Sequence, residues 1–210
     1  MLTPTLPIET ERLILRPFTD ADADRYFSYR SLPETVRYLY RDPLTLEESI
    51  QRMPQYARLE FEKDADFFTL AIQPKGATEL AGEILFKFKS VRAMQGELGY
   101  SLHPDSIGNG YVTEAATAML RLGFEHFGFH RIFARIDAEN APSIAVAERL
   151  GMRREAHLIE NDFFAGRWGS EYVYAILATE YGSSSSATTT ILSPGANSRT
   201  SVLGGLSRTP

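Results

Sequence analysis

Apolar and polar residues alternate in several short segments of the chain, and this two-residue period is typical of β-strands. In Glu11–Pro17 the apolar residues Leu13 and Leu15 fall on one face of such a strand, and Pro17 ends it. Further strands are predicted from apolar runs or alternation at Phe67–Gln73, Leu80–Lys89, Glu97–Leu102, Arg131–Asp137, Arg153–Asn161 and Trp168–Tyr181. We therefore expect a sheet of about seven strands.

Apolar residues at intervals of three and four predict helices between these strands. The longest such pattern runs from Val112 to Phe127, and Gly128 is its expected C-terminal cap. Pro142 suits the first turn of another helix, which Gly151 ends. Earlier helices are predicted at Ala21–Arg30, at Glu34–Leu39, and from Thr45 onward with a kink or break at Pro54.

The order of these elements limits the fold class. Strand, helices, three strands, helix, strand, helix and two strands do not form a run of strand–helix–strand units, so we predict an α+β (mixed α/β) fold with helices packed on a mixed sheet. From Gly182 onward Ser, Thr, Gly and Pro dominate and no hydrophobic period remains. Residues 1–181 are expected to form the folded domain, and residues 182–210 a disordered tail.

Composition excludes several classes of function. The 210 residues carry a net charge of −5 without a block of Lys and Arg, which argues against nucleic-acid binding. Cysteine is absent, so disulfides and thiolate metal sites are excluded, and the histidines lack a metal-ligand spacing. No stretch approaches the ~20 apolar residues of a membrane span. These features predict a cytoplasmic protein with no metal and with neither nucleic acid nor a membrane as partner.

A glycine-containing turn, Ile107–Tyr111 (IGNGY), joins the predicted strand Glu97–Leu102 to the helix that follows. A helix start leaves backbone N–H groups unpaired at the positive end of the helix dipole, and Gly108 and Gly110 let a ligand approach the backbone closely. The turn is therefore predicted to hold a phosphate or pyrophosphate, although Gly-x-Gly alone is equally typical of a plain tight turn. Thr113 replaces the third glycine of a dinucleotide motif, and the Gly-Lys-Ser/Thr of a P-loop is absent.

Four segments of the chain, taken in order, resemble motifs of one known family. They are Glu9–Phe18 (ETERLILRPF), Gly96–Pro104 (GELGYSLHP), Gly108–Ala115 (GNGYVTEA) and Glu139–Met152 (ENAPSIAVAERLGM). The chain resembles the GNAT superfamily of N-acetyltransferases, and more narrowly its RimJ/RimL-like branch, over about residues 8–181. The resemblance implies a mostly antiparallel central sheet flanked by helices, with the acetyl-CoA turn between the fourth strand and the next helix.

The resemblance also implies a reaction. Enzymes of this branch transfer an acetyl group from acetyl-CoA to a primary amine, which is a protein N-terminal α-amine or a small-molecule amine, by direct attack in a ternary complex. A monomer or a homodimer is expected. One alternative is a catalytically idle acyl-CoA-binding or regulatory module on the same fold. Another is a nucleotide site at the glycine turn.

The implied binding residues surround that turn. Backbone groups of Ile107–Val112 are expected to hold the pyrophosphate, Thr113 to add a hydroxyl, and Asn140 to bind the pantetheine arm unless it only caps its helix. The cofactor-binding residues are thus Ile107, Gly108, Asn109, Gly110, Tyr111, Val112, Thr113 and Asn140. Asp105 departs from the motif because it brings a carboxylate near the pyrophosphate.

Two side chains are candidates for proton transfer. Glu97 is the expected base, acting directly or through water, and Ser143 the expected donor to the leaving thiolate. In the alternative, Glu97 faces solvent or forms an ion pair within the sheet, and Ser143 caps a helix. Ala147 stands at the position where many family members carry a tyrosine that acts as the general acid. The resemblance also implies a bulge near Gly99–Leu102, as in the family's strand, which would turn backbone N–H groups toward the thioester oxygen. The acceptor pocket is expected between the early helices and the last hairpin, among Tyr26, Tyr29, Arg30, Tyr38, Tyr40, Arg41, Asn161, Asp162, Phe163, Phe164 and Trp168.

Overall fold

The strands lie side by side in one sheet in the computed structural model of the chain, which describes residues 4–186. They are β1 (Ile8–Glu9), β2 (Leu13–Arg16), β3 (Phe67–Pro74), β4 (Gly82–Ser90), β5 (Gln95–Leu102), β6 (Arg131–Asp137), β7 (Arg153–Phe164) and β8 (Arg167–Leu177). Their order is β1-β2-β3-β4-β5-β6-β8-β7, and only β5 and β6 pair in parallel within the described residues. The predicted fold class is confirmed, and the eighth strand arises because β1 adds a short edge to β2.

The helices cover both faces of this sheet. They are α1 (Ala23–Arg30), α2 (Pro33–Val36), α3 (Leu46–Tyr56), α4 (Tyr111–Arg121), α5 (Ala141–Arg149) and α6 (Ala178–Ser186). The predicted helix after the glycine turn is divided, because α4 passes into a π-helical turn at Leu122–His126. Within the described part of the chain, no helix has the length and apolar character needed to cross a membrane.

Helix α3 begins as predicted but passes the proline at which a kink or break was expected. Thr45 Oγ1 accepts a hydrogen bond from the Glu48 N–H at 3.2 Å, and the Glu48 carboxylate accepts one from the Thr45 N–H at 2.8 Å. This reciprocal capping box fixes the start of the helix. The helix includes Pro54 and runs on to Tyr56, so the prediction of a break is wrong. Pro54 removes a hydrogen bond in the last turn only, next to the exposed Ile50.

The C-terminal strand ends earlier than its pattern predicts. Strand β8 stops at Leu177, and α6 takes the place of the last predicted strand residues, including Tyr181. The Glu180 carboxylate accepts a hydrogen bond from the Leu177 N–H at 2.7 Å, which satisfies a free donor at the helix start. The Tyr181 ring lies 4.9 Å from that of Phe124. Residues 182–186 of the predicted tail belong to α6, and the remainder of the tail lies outside the described residues.

The alternation of side chains along β5 separates two groups of functional candidates. Leu98 and Tyr100 point to the face that packs against α4 and α5, which we call the α4 face. Glu97, Gly99 and Ser101 point to the opposite face, which is covered by α1 and which we call the α1 face. The side chains on the two faces of β5 can therefore contact different parts of a ligand bound at this strand.

The sheet opens between β5 and β6. Their parallel pairing covers only three residues of each strand and ends at Glu97 and Phe133, although β5 runs on to Leu102 and β6 to Asp137. Beyond that point β6 pairs only with β8, and β5 only with β4. The gap leaves backbone polar groups along β5 without a strand partner, so a ligand can pair with them.

The bulge expected near Gly99–Leu102 is not there. Pairing between β4 and β5 continues without a shift from Gly82 and Leu102 to Phe88 and Gly96, and the irregularity follows at Phe88–Ser90. A regular strand can still expose backbone donors here, because the neighbouring strand β6 has diverged.

Candidate active site

The glycine turn leads from β5 into α4 with two left-handed residues. Gly108 has φ +85° and Gly110 has φ +76°, a region that L side chains rarely adopt. Gly110 is the N-cap of α4, and no side chain caps it, so the first backbone N–H groups of the helix stay available. No heavy atom lies within 4 Å of the position that a Cβ of Gly108 would take. The turn thus has the space, the donors and the dipole to hold an anion.

Arg12 and Glu114 brace this turn from the β1–β2 side. The Arg12 guanidinium donates from Nε to Glu114 Oε2 at 2.7 Å and from Nη1 to the backbone oxygen of Asn109 at 3.0 Å, and it lies 5.4 Å from the centre of the Tyr111 ring. Thr10 Oγ1 donates to Glu114 Oε1 at 2.6 Å. Sequence reasoning missed this brace, since no local spacing connects Arg12 with a residue 102 positions later.

The other predicted residues of the turn offer different groups. Ile107 is 64% exposed, whereas the Val112 side chain is buried, so Val112 can offer only its backbone. Thr113 Oγ1 accepts a hydrogen bond from Arg149 Nη1 at 2.9 Å, which brings a cation of α5 to the first turn of α4. The Asp105 side chain is 80% exposed and lies 3.5 Å from His103 Nδ1, so its carboxylate does not fill the turn.

The start of α5 forms the far side of the gap. Asn140 Oδ1 accepts a hydrogen bond from the Ser143 N–H at 3.2 Å, so Asn140 is indeed a helix cap, and its amide nitrogen remains to donate. The Tyr100 hydroxyl donates to the Ser143 backbone oxygen at 3.5 Å, across the gap from β5. Burial raises the pKa of Tyr100, against the effects of its hydrogen bond to Ser143 and of the Arg149 charge. No spacing in the sequence predicts that Tyr100 reaches α5.

The two candidates for proton transfer lie on different sides of the sheet. Glu97 is half-buried on the α1 face at the point where β5–β6 pairing ends, whereas Ser143 belongs to α5 on the α4 face. The guanidinium of Arg135 lies within electrostatic range of Glu97. The pKa of Arg135 is raised mainly by its hydrogen bond to Glu171, and the negative charge of Glu97 raises it further. The two candidate side chains therefore lie on opposite sides of the gap between β5 and β6.

On the α1 face, the α2–α3 loop meets the end of β6 and the β7–β8 hairpin through Tyr40. The Tyr40 hydroxyl donates to Asp137 Oδ2 at 2.6 Å, and a Cβ on Gly169 would stand 2.2 Å from that hydroxyl. Burial and the hydrogen bond to Asp137 raise the pKa of Tyr40 well above its usual value. An open pocket of about 290 Å³ adjoins this contact, lined by Asp137, Ala138, Glu139, His157, Arg167, Trp168, Gly169, Ser170 and Tyr172.

Two aromatic residues predicted for the acceptor pocket lie in the core instead. Tyr26 and Tyr29 are fully buried, because they pack under α3 in a second apolar cluster. The Tyr29 hydroxyl donates to the carboxylate of Glu83, and Arg30 Nη1 lies 3.7 Å from Glu83 Oε1. Burial raises the pKa of Glu83, while the Arg30 charge and the Tyr29 hydrogen bond oppose that rise.

Comparison with known proteins connects this geometry to a family. The family model described as an acetyltransferase (GNAT) domain matches residues 12–153. The chain is 30% identical to the uncharacterized N-acetyltransferase YnaD of Bacillus subtilis (strain 168) over 174 residues, which cover 83% of this chain and 98% of YnaD. It is 26% identical over 188 residues to the [ribosomal protein uS5]-alanine N-acetyltransferase of Escherichia coli (strain K12), covering 85% of this chain and 94% of that protein.

Solved structures of the same family share this fold. A GNAT-family acetyltransferase from Bacillus anthracis superposes with a TM-score of 0.73 at 31% identity, and the match covers 82% of this chain and 99% of that one. The chain therefore belongs to the GNAT family of acetyltransferases, enzymes that move an acetyl group from acetyl-CoA to an amine.

Proposed function

We propose that acetyl-CoA lies along the α4 face with its pyrophosphate at the glycine turn and its thioester in the gap between β5 and β6. The observation that carries this proposal is the early end of β5–β6 pairing at Glu97 and Phe133, on the same strand that leads into the turn. The free edge of β5 offers backbone groups to the pantetheine arm, and α4 offers its unpaired N–H groups to the pyrophosphate. The Asn140 amide and the Arg149 guanidinium border the same path.

The chemical step then crosses the gap. A neutral amine on the α1 face attacks the thioester carbon, and backbone N–H groups of β5 stabilise the developing oxyanion. Glu97 takes the proton of the amine, directly or through a water. The C–S bond breaks as the tetrahedral intermediate collapses. Ser143 passes a proton to the thiolate on the other side of the sheet and is reprotonated by solvent, to which Glu97 releases the proton of the amine. The products are an amide and the free thiol of CoA.

The acceptor is a primary amine, in keeping with the RimJ/RimL-like motifs and with the relative named for acting on an alanine of ribosomal protein uS5. Residues 1–181 carry the reaction in this proposal. The acceptor reaches the thioester from the α1 face, since α4 and α5 occupy the other. The contact of Tyr40 with Asp137 lies on this side of the sheet.

Thiol release tests the proposal. The full chain is incubated with acetyl-CoA and a panel of primary amines, and free CoA thiol is measured beside the binding of CoA by calorimetry. We expect thiol release that depends on both an amine and the enzyme. Tight CoA binding without thiol release for any amine would instead support the idle acyl-CoA-binding module. Competition by ATP at an affinity comparable to that of CoA would support the nucleotide site.

A further inference from the structure

Three cations surround the Glu97 carboxylate on the α1 face of the sheet. Lys87 lies directly opposite Glu97 in the β4–β5 ladder. Phe133 is the β6 partner of Glu97, and Arg131 and Arg135, two residues before and after it, point to the same face. Glu97 nevertheless forms no hydrogen bond or ion pair within residues 4–186. Opposite charges on neighbouring residues attract each other, so other contacts must hold the three cations.

Two of these cations have partners other than Glu97. Lys87 Nζ lies 5.5 Å from the centre of the Phe67 ring. Arg131 Nη2 donates to Glu155 Oε2 at 2.6 Å, and the Arg131 guanidinium lies 4.8 Å from the centre of the Phe133 ring. A ring face and a carboxylate thus take up these two positive charges.

The helix that covers this face brings a further cation, which is also paired. Arg30 of α1 donates to Ser101 Oγ at 3.1 Å, four residues beyond Glu97 on β5. Its Nη1 lies 3.7 Å from Glu83 Oε1. Arg30 therefore compensates the charge of Glu83 rather than that of Glu97.

The third cation, Arg135, is held by Glu171 of β8. Arg135 Nε donates to Glu171 Oε2 at 3.2 Å, Arg135 Nη2 donates to the same oxygen, and Asn161 Nδ2 donates to it at 2.6 Å. Glu171 is only 6% exposed, and charge-assisted hydrogen bonds strengthen where water is excluded. The charges of Glu97 and Asp162 also act on Arg135, but less than its contact with Glu171.

The position of Arg135 makes its choice of partner important for the gap. Pairing between β5 and β6 ends at Glu97 and Phe133, so Arg135 lies on the part of β6 that has diverged from β5. An ion pair between Arg135 and Glu97 would cross the opening in which the amine and the thioester are proposed to meet. It would also make Glu97 a weaker base, because a neighbouring cation favours the ionised form of a carboxylate.

Glu97 is the carboxylate to which Arg135 would turn if Glu171 lost its charge. The Arg135 side chain is 41% exposed and so has room to reorient. Asp137, two residues further along β6, already accepts a hydrogen bond at each oxygen, from the Tyr40 hydroxyl at 2.6 Å and from the Glu139 N–H at 2.7 Å. Glu97 has both oxygens free of such donors in the described part of the chain.

We propose that Glu171 is a positioning residue for acetyl transfer: by binding Arg135 it keeps the Glu97 carboxylate unpaired and the gap open to the amine. This inference rests on the proposed function, in which Glu97 is the base, and adds a residue that acts through Arg135. Asn161 supports the arrangement, since its amide donates to the same oxygen of Glu171.

Glu171→Gln tests the inference, because it removes the charge that holds Arg135 and keeps the size of the side chain. Initial rates of thiol release are measured across pH with an amine that the wild-type protein acetylates, at saturating acetyl-CoA. We expect kcat to fall about tenfold near pH 7 and progressively less toward about pH 9.5, where the amine supplies its own neutral form. KM for acetyl-CoA should change less than about twofold. A crystal structure of the variant should show the Arg135 guanidinium in contact with Glu97.

A second substitution separates this role from a merely structural one. In Glu171→Gln/Arg135→Gln the displaced cation is absent, so we expect kcat to return to within about threefold of the wild-type value, with the wild-type pH profile. A structural role for Glu171 predicts the opposite, since the double variant has lost every contact between the two side chains. Arg135→Gln alone should also keep the wild-type profile. Glu9→Gln, which removes an ion pair with Lys75 at the far edge of the sheet, is the control.

The outcomes distinguish the inference from the proposed function. Failure of the double variant to recover, or a loss in Glu171→Gln that is equal at every pH, would overturn the inference and leave the proposed function standing. Arg135 remaining apart from Glu97 in the crystal structure of Glu171→Gln would overturn it as well. Absence of thiol release from the wild-type protein with every amine would remove the proposed function, and the inference with it.

Discussion

The Arg12 guanidinium donates a hydrogen bond of 3.0 Å to the backbone oxygen of Asn109, although 97 residues separate them in the chain. In a trans peptide the C=O of one residue and the N–H of the next point in opposite directions. The Gly110 N–H is therefore directed away from Arg12, toward the side of the turn that is open. The side chain of Arg12, just before β2, thus sets the direction of a backbone donor at the start of α4.

Loss of the Arg12 contact with Asn109 should weaken the binding of acetyl-CoA without slowing the acetyl-transfer step. We expect Arg12→Gln to raise KM for acetyl-CoA about three- to tenfold, since the turn then samples orientations that turn the Gly110 N–H away. The kcat value at saturating acetyl-CoA should stay within about twofold. Arg92→Gln, an exposed arginine in the β4–β5 loop, is the control. An unchanged KM in Arg12→Gln would show that the turn holds its orientation unaided.

The partner of Arg12 gives the brace a pH dependence. Partial burial raises the pKa of Glu114, but hydrogen bonds from Thr10 and Arg12 and the charge of Arg12 outweigh it, so the pKa lies below its ordinary value. A carboxylate with a lowered folded-state pKa stabilises the fold above its unfolded pKa of about 4.3, and this stabilisation is lost as the pH falls through the folded value. The acid limb of stability should therefore contain a contribution from Glu114.

Urea unfolding at pH 6 and pH 3.5 measures that contribution. Between these two pH values the wild-type protein should lose about 1 kcal/mol more unfolding free energy than Glu114→Gln, whose side chain cannot be ionised. Glu34→Gln, an exposed residue of α2, should follow the wild-type curve. If Glu114→Gln also follows it, Glu114 does not stabilise the fold through its charge.

The local part of the active site could be predicted from the sequence, because it is encoded by short spacings. The glycines at 108 and 110, the strand before them and the helix after them are adjacent in the chain, and the capping pair Thr45 and Glu48 is three residues apart. Propensity and periodicity act over such distances. The motif resemblance then connected the turn with acetyl-CoA.

Relationships between distant residues could not be predicted in this way. The contact of Tyr40 with Asp137 and the end of β5–β6 pairing at Glu97 depend on which strands become neighbours, and periodicity does not specify this. The burial of Tyr26 and Tyr29 has the same origin, since α3 covers them. The prediction that the last strand reaches Tyr181 is wrong, because a short run of apolar residues is compatible with either a strand or a helix.

Glu97 should act as base chiefly where the acceptor is protonated. We expect Glu97→Gln to lower kcat/KM about 100-fold near pH 7 and progressively less toward pH 9.5, where the amine supplies its own neutral form. The pH–rate profile of thiol release measures this change. Glu79→Gln, an exposed carboxylate paired with Arg25, should keep the wild-type profile. A uniform loss at every pH would assign Glu97 a positioning role rather than proton transfer.

The Tyr40 hydroxyl should stabilise both the loop and the buried Asp137. Tyr40→Phe removes a donor from one carboxylate oxygen, while the Glu139 N–H still donates to the other at 2.7 Å. We expect a loss of about 1–2 kcal/mol in unfolding free energy and a higher KM for the acceptor, with KM for acetyl-CoA unchanged. Tyr181→Phe, a tyrosine of α6 whose ring packs 4.9 Å from that of Phe124, is the control. A shift in KM for acetyl-CoA would place Tyr40 on the cofactor path instead.

Alanine variants at two glycines of similar backbone conformation can distinguish the effect of backbone strain from the effect of lost ligand contact. Gly108 has φ +85° and Gly76, in the β3–β4 turn, has φ +80°, and no heavy atom lies within 4 Å of the Cβ position at either. Alanine at each should cost about 1 kcal/mol of stability from the left-handed backbone alone. Only Gly108→Ala adds a methyl group where the pyrophosphate is proposed to lie, so only this variant should weaken acetyl-CoA binding, by about tenfold or more. Calorimetric titration with CoA, beside thermal unfolding, compares the two variants. Equal CoA affinity in Gly108→Ala and Gly76→Ala would exclude the glycine turn as the pyrophosphate site.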